Sequence, residues 1–277
     1  MKTPSKLLAL FLITPFFWSC QVKDSVSDQP YQGKKAFFLL GEHEYGTPES
    51  LPAFAKSHLD PLGIESSFAV AECKDRKSPL CHSFKGISDL ETADVLILST
   101  RRRFPTTEDM AIIKNFINSG KPVIAIRTAS HAFGAREKGE GYQAPEGHAA
   151  WNTIDVDMLG AKYTGHYKEK EGGPLQVSAW IEAAATNHPI VENLDFDGPI
   201  NIGNKLYTYI DRDPAIQILL SAKWAENEES HPVAWTNEKG GKRVFYMSPG
   251  SLDEIATPEI KSLLKSAVLW GLNGDAD

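Results

Sequence analysis

Three polar clusters carry the residue types that could do chemistry. The first is Gly41-Glu42-His43-Glu44-Tyr45, the second Thr100-Arg101-Arg102-Arg103-Phe104, and the third Arg127-Thr128-Ala129-Ser130-His131. His131 titrates near neutrality and is the candidate general acid or base, with Glu42 or His43 as its complement. Arg101 and Arg127 offer planar guanidinium groups that could hold an anion or stabilise an enolate. Tyr45 and Ser130 are candidate binding residues beside them, and His148 and His166 complete the rim. A bland reading stands beside each: His131 as a structural histidine, Arg127 as an internal partner of Glu42 or Glu44, and Arg103 as a solvated loop charge.

Other chemistries are poorly served. His43, His131, His148 and His166, with Glu42 or Glu44, have metal-ligand chemistry, but their wide separation gives no recognisable spacing, and unrelated polar histidines are the favoured reading. No motif requires a cofactor. There is no G-x-S-x-G elbow, H-E-x-x-H pair or Walker loop. Cys73 and Cys81 lie eight positions apart in a polar stretch and read as a disulfide staple, worth ~2.5 kcal/mol in the chain-entropy model. Two unpaired thiols are the alternative.

The clusters need elements to position them. Ala36–Leu40 is a short apolar run of the kind buried on both faces of a parallel sheet, and Ile64–Val70, Val95–Leu98 and Val123–Ile126 read as the second, third and fourth strands. Thr47-Pro48-Glu49 supplies an N-cap and first-turn proline for a helix to about Leu62, and Thr107 opens another that carries Ile112, Ile113, Phe116 and Ile117 on one face and stops at Gly120. Strands joined by such crossovers predict an α/β fold with a doubly wound, mainly parallel, flavodoxin-like sheet. In such sheets ligands bind beyond the carboxyl ends of the strands, where all three polar clusters fall. The second half contributes extra strands at Leu175–Trp180, Lys205–Ile210 and Ile216–Leu220, a hairpin of Val233–Trp235 with Val244–Tyr246, and a closing helix over Pro258–Leu272. With no linker visible, these strands are expected to extend or decorate the same sheet.

The 277 residues carry a formal charge of −7, which disfavours a nucleic-acid partner, since neutralising phosphates needs a basic face. Lys2, Lys6 and the apolar stretch Leu7–Trp18 read as an export signal, too short for a membrane span. Phe17-Trp18-Ser19-Cys20 resembles a lipobox, with a small residue before the cysteine. The expected organisation is an export signal over 1–19, a lipidated Cys20 and flexible tether over 20–34, and one α/β domain over 35–274. A secretory peptide cut nearby or an uncleaved anchor is the alternative. The localisation expected is the cell envelope of a bacterium, with membrane contact through the lipid alone.

Gly41-Glu42-His43-Glu44-Tyr45, Leu98 to Arg103, Gly120 to Phe133, Tyr163-Thr164-Gly165-His166-Tyr167 and Pro232 to Thr236 resemble the ThuA-like, trehalose-utilisation family. The resemblance runs over about residues 35 to 272 and is most specific around Arg127 and His131. It implies a class I glutamine-amidotransferase-like fold and a carbohydrate partner, of trehalose type or a keto-sugar derivative, alongside an oxidoreductase in the same pathway. On that basis Arg101 and Arg127 would hydrogen-bond sugar hydroxyls, and Tyr45, Phe104, Phe133, Trp151 and Tyr167 would offer faces to a sugar ring. The departures are informative. An amidotransferase sets its cysteine in a tight turn after a strand, whereas the fourth strand here runs into Arg127, so Cys-dependent glutamine hydrolysis is excluded. Ser248-Pro249-Gly250-Ser251 stands where many members have Gly-His. Two readings remain open: acid–base chemistry on a glycoside or keto-sugar, or a non-catalytic exported sugar-binding module.

Overall fold

The computed structural model describes residues 29–72, 79–134, 143–167, 177–194, 198–203, 205–225 and 229–275. The export signal, Cys20 and Cys73 lie outside them, as do Leu175 and Gln176 at the start of one expected strand. Among the described residues no helix is long and apolar enough to cross a membrane.

The strands are β1 (Lys35–Gly41), β2 (Glu65–Val70), β3 (Val95–Thr100), β4 (Val123–Ile126), β5 (Lys162–Tyr167), β6 (Val177–Ile181), β7 (Ile200–Asn201), β8 (Leu206–Ile210), β9 (Ile216–Trp224), β10 (His231–Asn237) and β11 (Val244–Met247). The helices are α1 (Thr47–Phe54), α2 (Thr107–Asn118), α3 (Leu252–Ala256) and α4 (Pro258–Leu272). Nine strands form one sheet in the order β2-β1-β3-β4-β11-β10-β9-β6-β7. From β2 to β11 neighbouring strands are parallel; β10, β9, β6 and β7 follow as antiparallel neighbours. The chain steps outward from β1 to β2 and then crosses back to β3, so the winding reverses between β1 and β3. Gly41 is in register with Thr100 there, which sets the first two polar clusters side by side.

Strand alternation explains why the sheet is buried on both faces. Phe38, Leu40, Ile97, Ile124 and Ile126 pack with Leu51 and Phe54 of α1 and with the apolar stripe Ile260, Leu263, Leu264, Ala267 and Val268 of α4. Phe37, Leu39, Leu96, Leu98, Val123 and Ala125 face the other way, against Met110, Ile113, Phe116 and Ile117 of α2. Ile112 of α2 is only partly buried. Thr257 caps α4, accepting from the Ile260 N–H, and Pro258 fills the first turn.

Four expectations change. Gly46, at φ 72°, is the N-cap of α1 and Thr47 is not: Thr47 is fully buried, its Oγ1 donates to the Glu42 carbonyl and accepts from Ser99 Oγ. The helix does not run regularly to Leu62. It passes after Phe54 into a π-turn over Ala55–Leu59 and a 3₁₀ turn over Asp60–Leu62, where Pro61 has no N–H to continue the ladder. β8 does not join the main sheet; it pairs antiparallel with β5 in a separate two-stranded ribbon. Tyr31, expected within a flexible stretch, is anchored instead. The Tyr31 N–H donates to the Leu62 carbonyl and its hydroxyl to Asn273, so the stretch after Gln29 is docked on the domain.

Candidate functional site

Arg127 stands at the centre. It follows β4 directly and opens a 3₁₀ turn over Arg127–His131, with a left-handed φ of 49°. This sharp strand-to-helix elbow has a close neighbour in Gly250: a Cβ there would lie 2.3 Å from Ile126 Cγ2. Arg127 is 1% exposed. Its Nη1 donates to Glu254 Oε2 at 3.0 Å and to the Ser248 carbonyl at 3.1 Å. The same Glu254 oxygen accepts the Gly250 and Ser251 N–H groups at 2.8 Å, which locks the carboxylate to the turn after β11. Burial disfavours the guanidinium charge, yet Glu254 and the surrounding tyrosines outweigh it and hold the Arg127 pKa above its usual value. The internal partner is therefore Glu254, not Glu42 or Glu44. Glu254 closes a capping box with Ser251, and that S-x-x-E spacing is a sequence signal that could have found it.

Aromatic rings continue the site outward from Arg127. Its guanidinium carbon lies 4.0 Å from the Tyr45 ring centroid and 5.3 Å from that of Tyr207. The Tyr207 ring lies 6.2 Å from His131, and His131 stacks on Tyr163 at 4.6 Å. His166 Nδ1 is 3.2 Å from the Tyr163 hydroxyl, and its ring lies 5.7 Å from that of Tyr207. Tyr163 and His166 share a face although they are three residues apart, because the ribbon has a register shift between Tyr163 and Gly165. Burial raises the Tyr163 pKa, against the opposing pull of Arg102, so its hydroxyl stays protonated at neutral pH. Tyr163 and Tyr207 are functional candidates that the sequence reading passed over. Strict alternation in Leu206-Tyr207-Thr208-Tyr209-Ile210 was the available signal for Tyr207.

The other expected residues divide. Arg101 lies at the rim in an ion pair with Glu44, and Lys205 joins them, 3.4 Å from Glu44 and 2.8 Å from the Tyr45 hydroxyl. Burial raises the Glu44 pKa, but Arg101 and Lys205 outweigh it and hold the carboxyl below its usual range. Ser130 is buried; its hydroxyl donates to the Arg127 carbonyl and lies 3.0 Å from His131 Nδ1, which ties the turn together. Beneath it the Tyr246 hydroxyl donates to the same carbonyl and touches the Tyr209 hydroxyl.

The side chains of Glu42 and His43 have backbone hydrogen-bond partners outside this succession of rings. Glu42 is fully buried, and its two carboxylate oxygens accept the N–H groups of Glu44 and Tyr45. Burial raises its pKa, partly offset by those bonds. The group organises the loop after β1. His43 turns to the Ala71 carbonyl at 3.0 Å, beyond the end of β2. His148 lies near His82, at 6.1 Å between rings, in a segment bridged to Thr106. Arg103 is buried instead of solvated: its Nε and Nη1 donate to the Gly41 and Cys81 carbonyls, tying the end of β1 to the following loops. Phe104 and Phe133 are core, and Trp151 donates to Asp157 away from the site. Cys81 is buried and disulfide-bonded, while its expected partner Cys73 lies outside the described residues. No three described His, Cys, Asp or Glu residues are placed to hold a metal ion.

A model of the ThuA family, described as trehalose utilisation, matches residues 36–271. The chain belongs to the ThuA family. A ThuA-like protein from Parabacteroides merdae aligns over 87% of this chain and 90% of its own, at 13% identity and a TM-score of 0.55. The carbohydrate deacetylase Agd3 aligns over 87% of this chain and 32% of its own, at 9% identity and 0.51. A β-galactosidase from the haloarchaeon Halorubrum lacusprofundi aligns over 86% and 30%, at 12% identity and 0.51. These likenesses are of fold. No curated protein matches significantly. ThuA membership supports a carbohydrate-related role and places the elbow in context. Where an amidotransferase sets a thiol nucleophile in the turn after a strand, this ThuA chain sets a buried, ion-paired arginine.

Proposed function

We propose that this ThuA protein holds a trehalose-type glycoside or its keto-sugar derivative against the aromatic wall at the elbow, and that His131 moves a proton to or from it. One observation carries the reading: Tyr45, Arg127, Tyr207, His131, Tyr163 and His166 form an unbroken succession of contacts at the carboxyl ends of the parallel strands. Rings of this kind meet the apolar C–H faces of a sugar, and the imidazoles and phenol hydroxyls supply directional hydrogen bonds. Arg127 sits behind Tyr45 as a fixed positive charge, of the sign that opposes a developing oxyanion or enolate.

The test is incubation of the purified domain with trehalose, its keto derivative and related glycosides, with product detection. His131→Ala should lower turnover by a factor on the order of 10²–10⁴ with the Tm nearly unchanged. A stable variant with full turnover removes His131 from the mechanism. The second reading, a sugar-binding module without turnover, is favoured by the state of Glu42, whose carboxylate is committed to two backbone N–H groups. Saturable sugar binding, lost in Tyr163→Ala, with no product from any glycoside would select it. Export and lipid attachment at Cys20 belong to the same proposal. Labelled lipid incorporated equally into wild type and Cys20→Ser would end that part.

A further inference from the structure

A second cleft, of about 440 Å³, lies beside the β5–β8 ribbon, lined by Thr164, His166, Tyr167 and Thr208 of the ribbon and by Glu229 and His231 at the start of β10. Its size is within the range of small-molecule sites, ~300–1,000 Å³. His231 is the telling residue. It is 7% exposed, and its buried Nε2 has no hydrogen-bond partner. The nearest carboxylate oxygen, Oε2 of exposed Glu229, stands 3.9 Å away, beyond hydrogen-bond reach. A buried ring nitrogen without a partner costs stability, and His231 carries that cost at the wall of the cleft, with Nε2 itself shielded from solvent.

The lining states what kind of ligand the cleft would take. Burial holds His231 below the usual imidazole range, so at neutral pH it is uncharged. The Thr164 and Thr208 hydroxyls are 2.9 Å apart, Thr164 donates to the Thr208 carbonyl, and lone pairs remain on both. The half-buried Tyr167 ring lies 5.4 Å from His231. No lysine or arginine is among the described residues that line the cleft, and its carboxylate opposes an anion. Hydroxyls, a neutral imidazole, one carboxylate acceptor and an aromatic face together match an uncharged polyol. His166 belongs to both sites: it lines this cleft, and it also meets Tyr163 and Tyr207 of the elbow site.

We propose that the cleft is a second subsite, binding a neutral sugar ring against Tyr167 between Glu229, His231 and the threonine pair. Resting on the reading of the elbow as a sugar site, this makes the ligand a glycoside of at least two rings, one at Tyr163 and His131 and the other at His231. The full chain would be titrated calorimetrically with trehalose as the two-ring probe and methyl α-glucoside as the one-ring probe. Glu229→Gln and Thr208→Val alter the new subsite, and Tyr163→Ala alters the elbow. Trehalose affinity should fall about tenfold or more in Glu229→Gln, the loss of a hydrogen bond to a charged acceptor, with a smaller fall in Thr208→Val. Affinity for the one-ring probe should change less than twofold in both. In ¹⁵N-histidine spectra, trehalose should shift the His231 Nε2 resonance, and Glu229→Gln should diminish that shift. Trehalose binding abolished by Tyr163→Ala but untouched by Glu229→Gln, with no His231 shift, overturns the subsite and leaves the elbow reading intact. Trehalose binding lost with Glu229→Gln but indifferent to Tyr163→Ala keeps the subsite and sinks the elbow reading. No binding of either probe by the wild type overturns both.

Discussion

Arg127 and Glu254 form an ion pair almost entirely removed from water, across 127 positions of sequence. Removing one member of such a pair leaves a buried charge uncompensated, typically at a cost of about 3–5 kcal/mol. Glu254→Ala should therefore destabilise the protein by that order, read as a lowered urea midpoint, whereas loss below about 1 kcal/mol would show that the pair does not hold the elbow. Arg127→Lys is the companion. Lysine keeps the charge that meets Glu254 but loses the planar group lying 4.0 Å from the Tyr45 ring centroid, so the variant should fold with weakened sugar binding. At this scale the sequence showed which residues were worth testing but not whom they meet. Arg127, His131, Tyr45 and His166 fall in one succession of ring contacts, the first three from strand-end loops and His166 from the ribbon. Glu42 reads identically in sequence as a catalytic carboxylate or as a loop organiser, because the difference lies in two backbone N–H groups that only the folded turn presents.

The elements were legible wherever the apolar period was clean. Phe37-Phe38-Leu39-Leu40, Val95–Leu98 and Val123–Ile126 are strands because every residue in them must be apolar to lie in a sheet covered on both faces. α4 begins and ends where its proline and apolar stripe place it. β5 was missed because Lys162-Tyr163-Thr164-Gly165-His166-Tyr167 has no apolar alternation: it is a half-exposed ribbon strand interrupted by a bulge. The turn after β11 depends on Gly250, at φ 154° and packed on Ile126. A methyl group there would overlap Ile126 Cγ2, so Gly250→Ala should cost about 1–3 kcal/mol, seen as a Tm lowered by several degrees. An unchanged Tm would mean that the elbow and this turn are not packed as rigidly as their contact implies.

For the whole molecule, acidification should expose the buried histidines. His188 packs on Trp270 with Nδ1 accepting from the Ile190 N–H, and burial lowers its pKa from the usual 6.5. The folded protein then binds fewer protons than the unfolded chain as pH falls below 6.5, so this group's contribution makes stability decline on acidification through that window and recover as pH rises. His188→Asn, which keeps an acceptor for the Ile190 N–H, should flatten the rise of Tm between pH 5 and 7; parallel curves for the two proteins would reject the assignment. The doubly wound parallel half was legible as a whole because short crossovers leave it few alternatives. The antiparallel half was not, since nothing local says that β11 docks beside β4 while β8 leaves for the ribbon. That docking sets an order of assembly. β4 has β3 on one side from early in synthesis, but its other neighbour arrives only with Val244–Met247, and the counter-charge for Arg127 only with Glu254. A nascent chain that has just delivered the elbow must therefore keep an open strand edge and an unbalanced cation until Val244–Glu254 emerges. Late closure of this kind is slow and prone to misassociation, which makes the arrival of Val244–Glu254 the step at which the protein either completes its centre or aggregates.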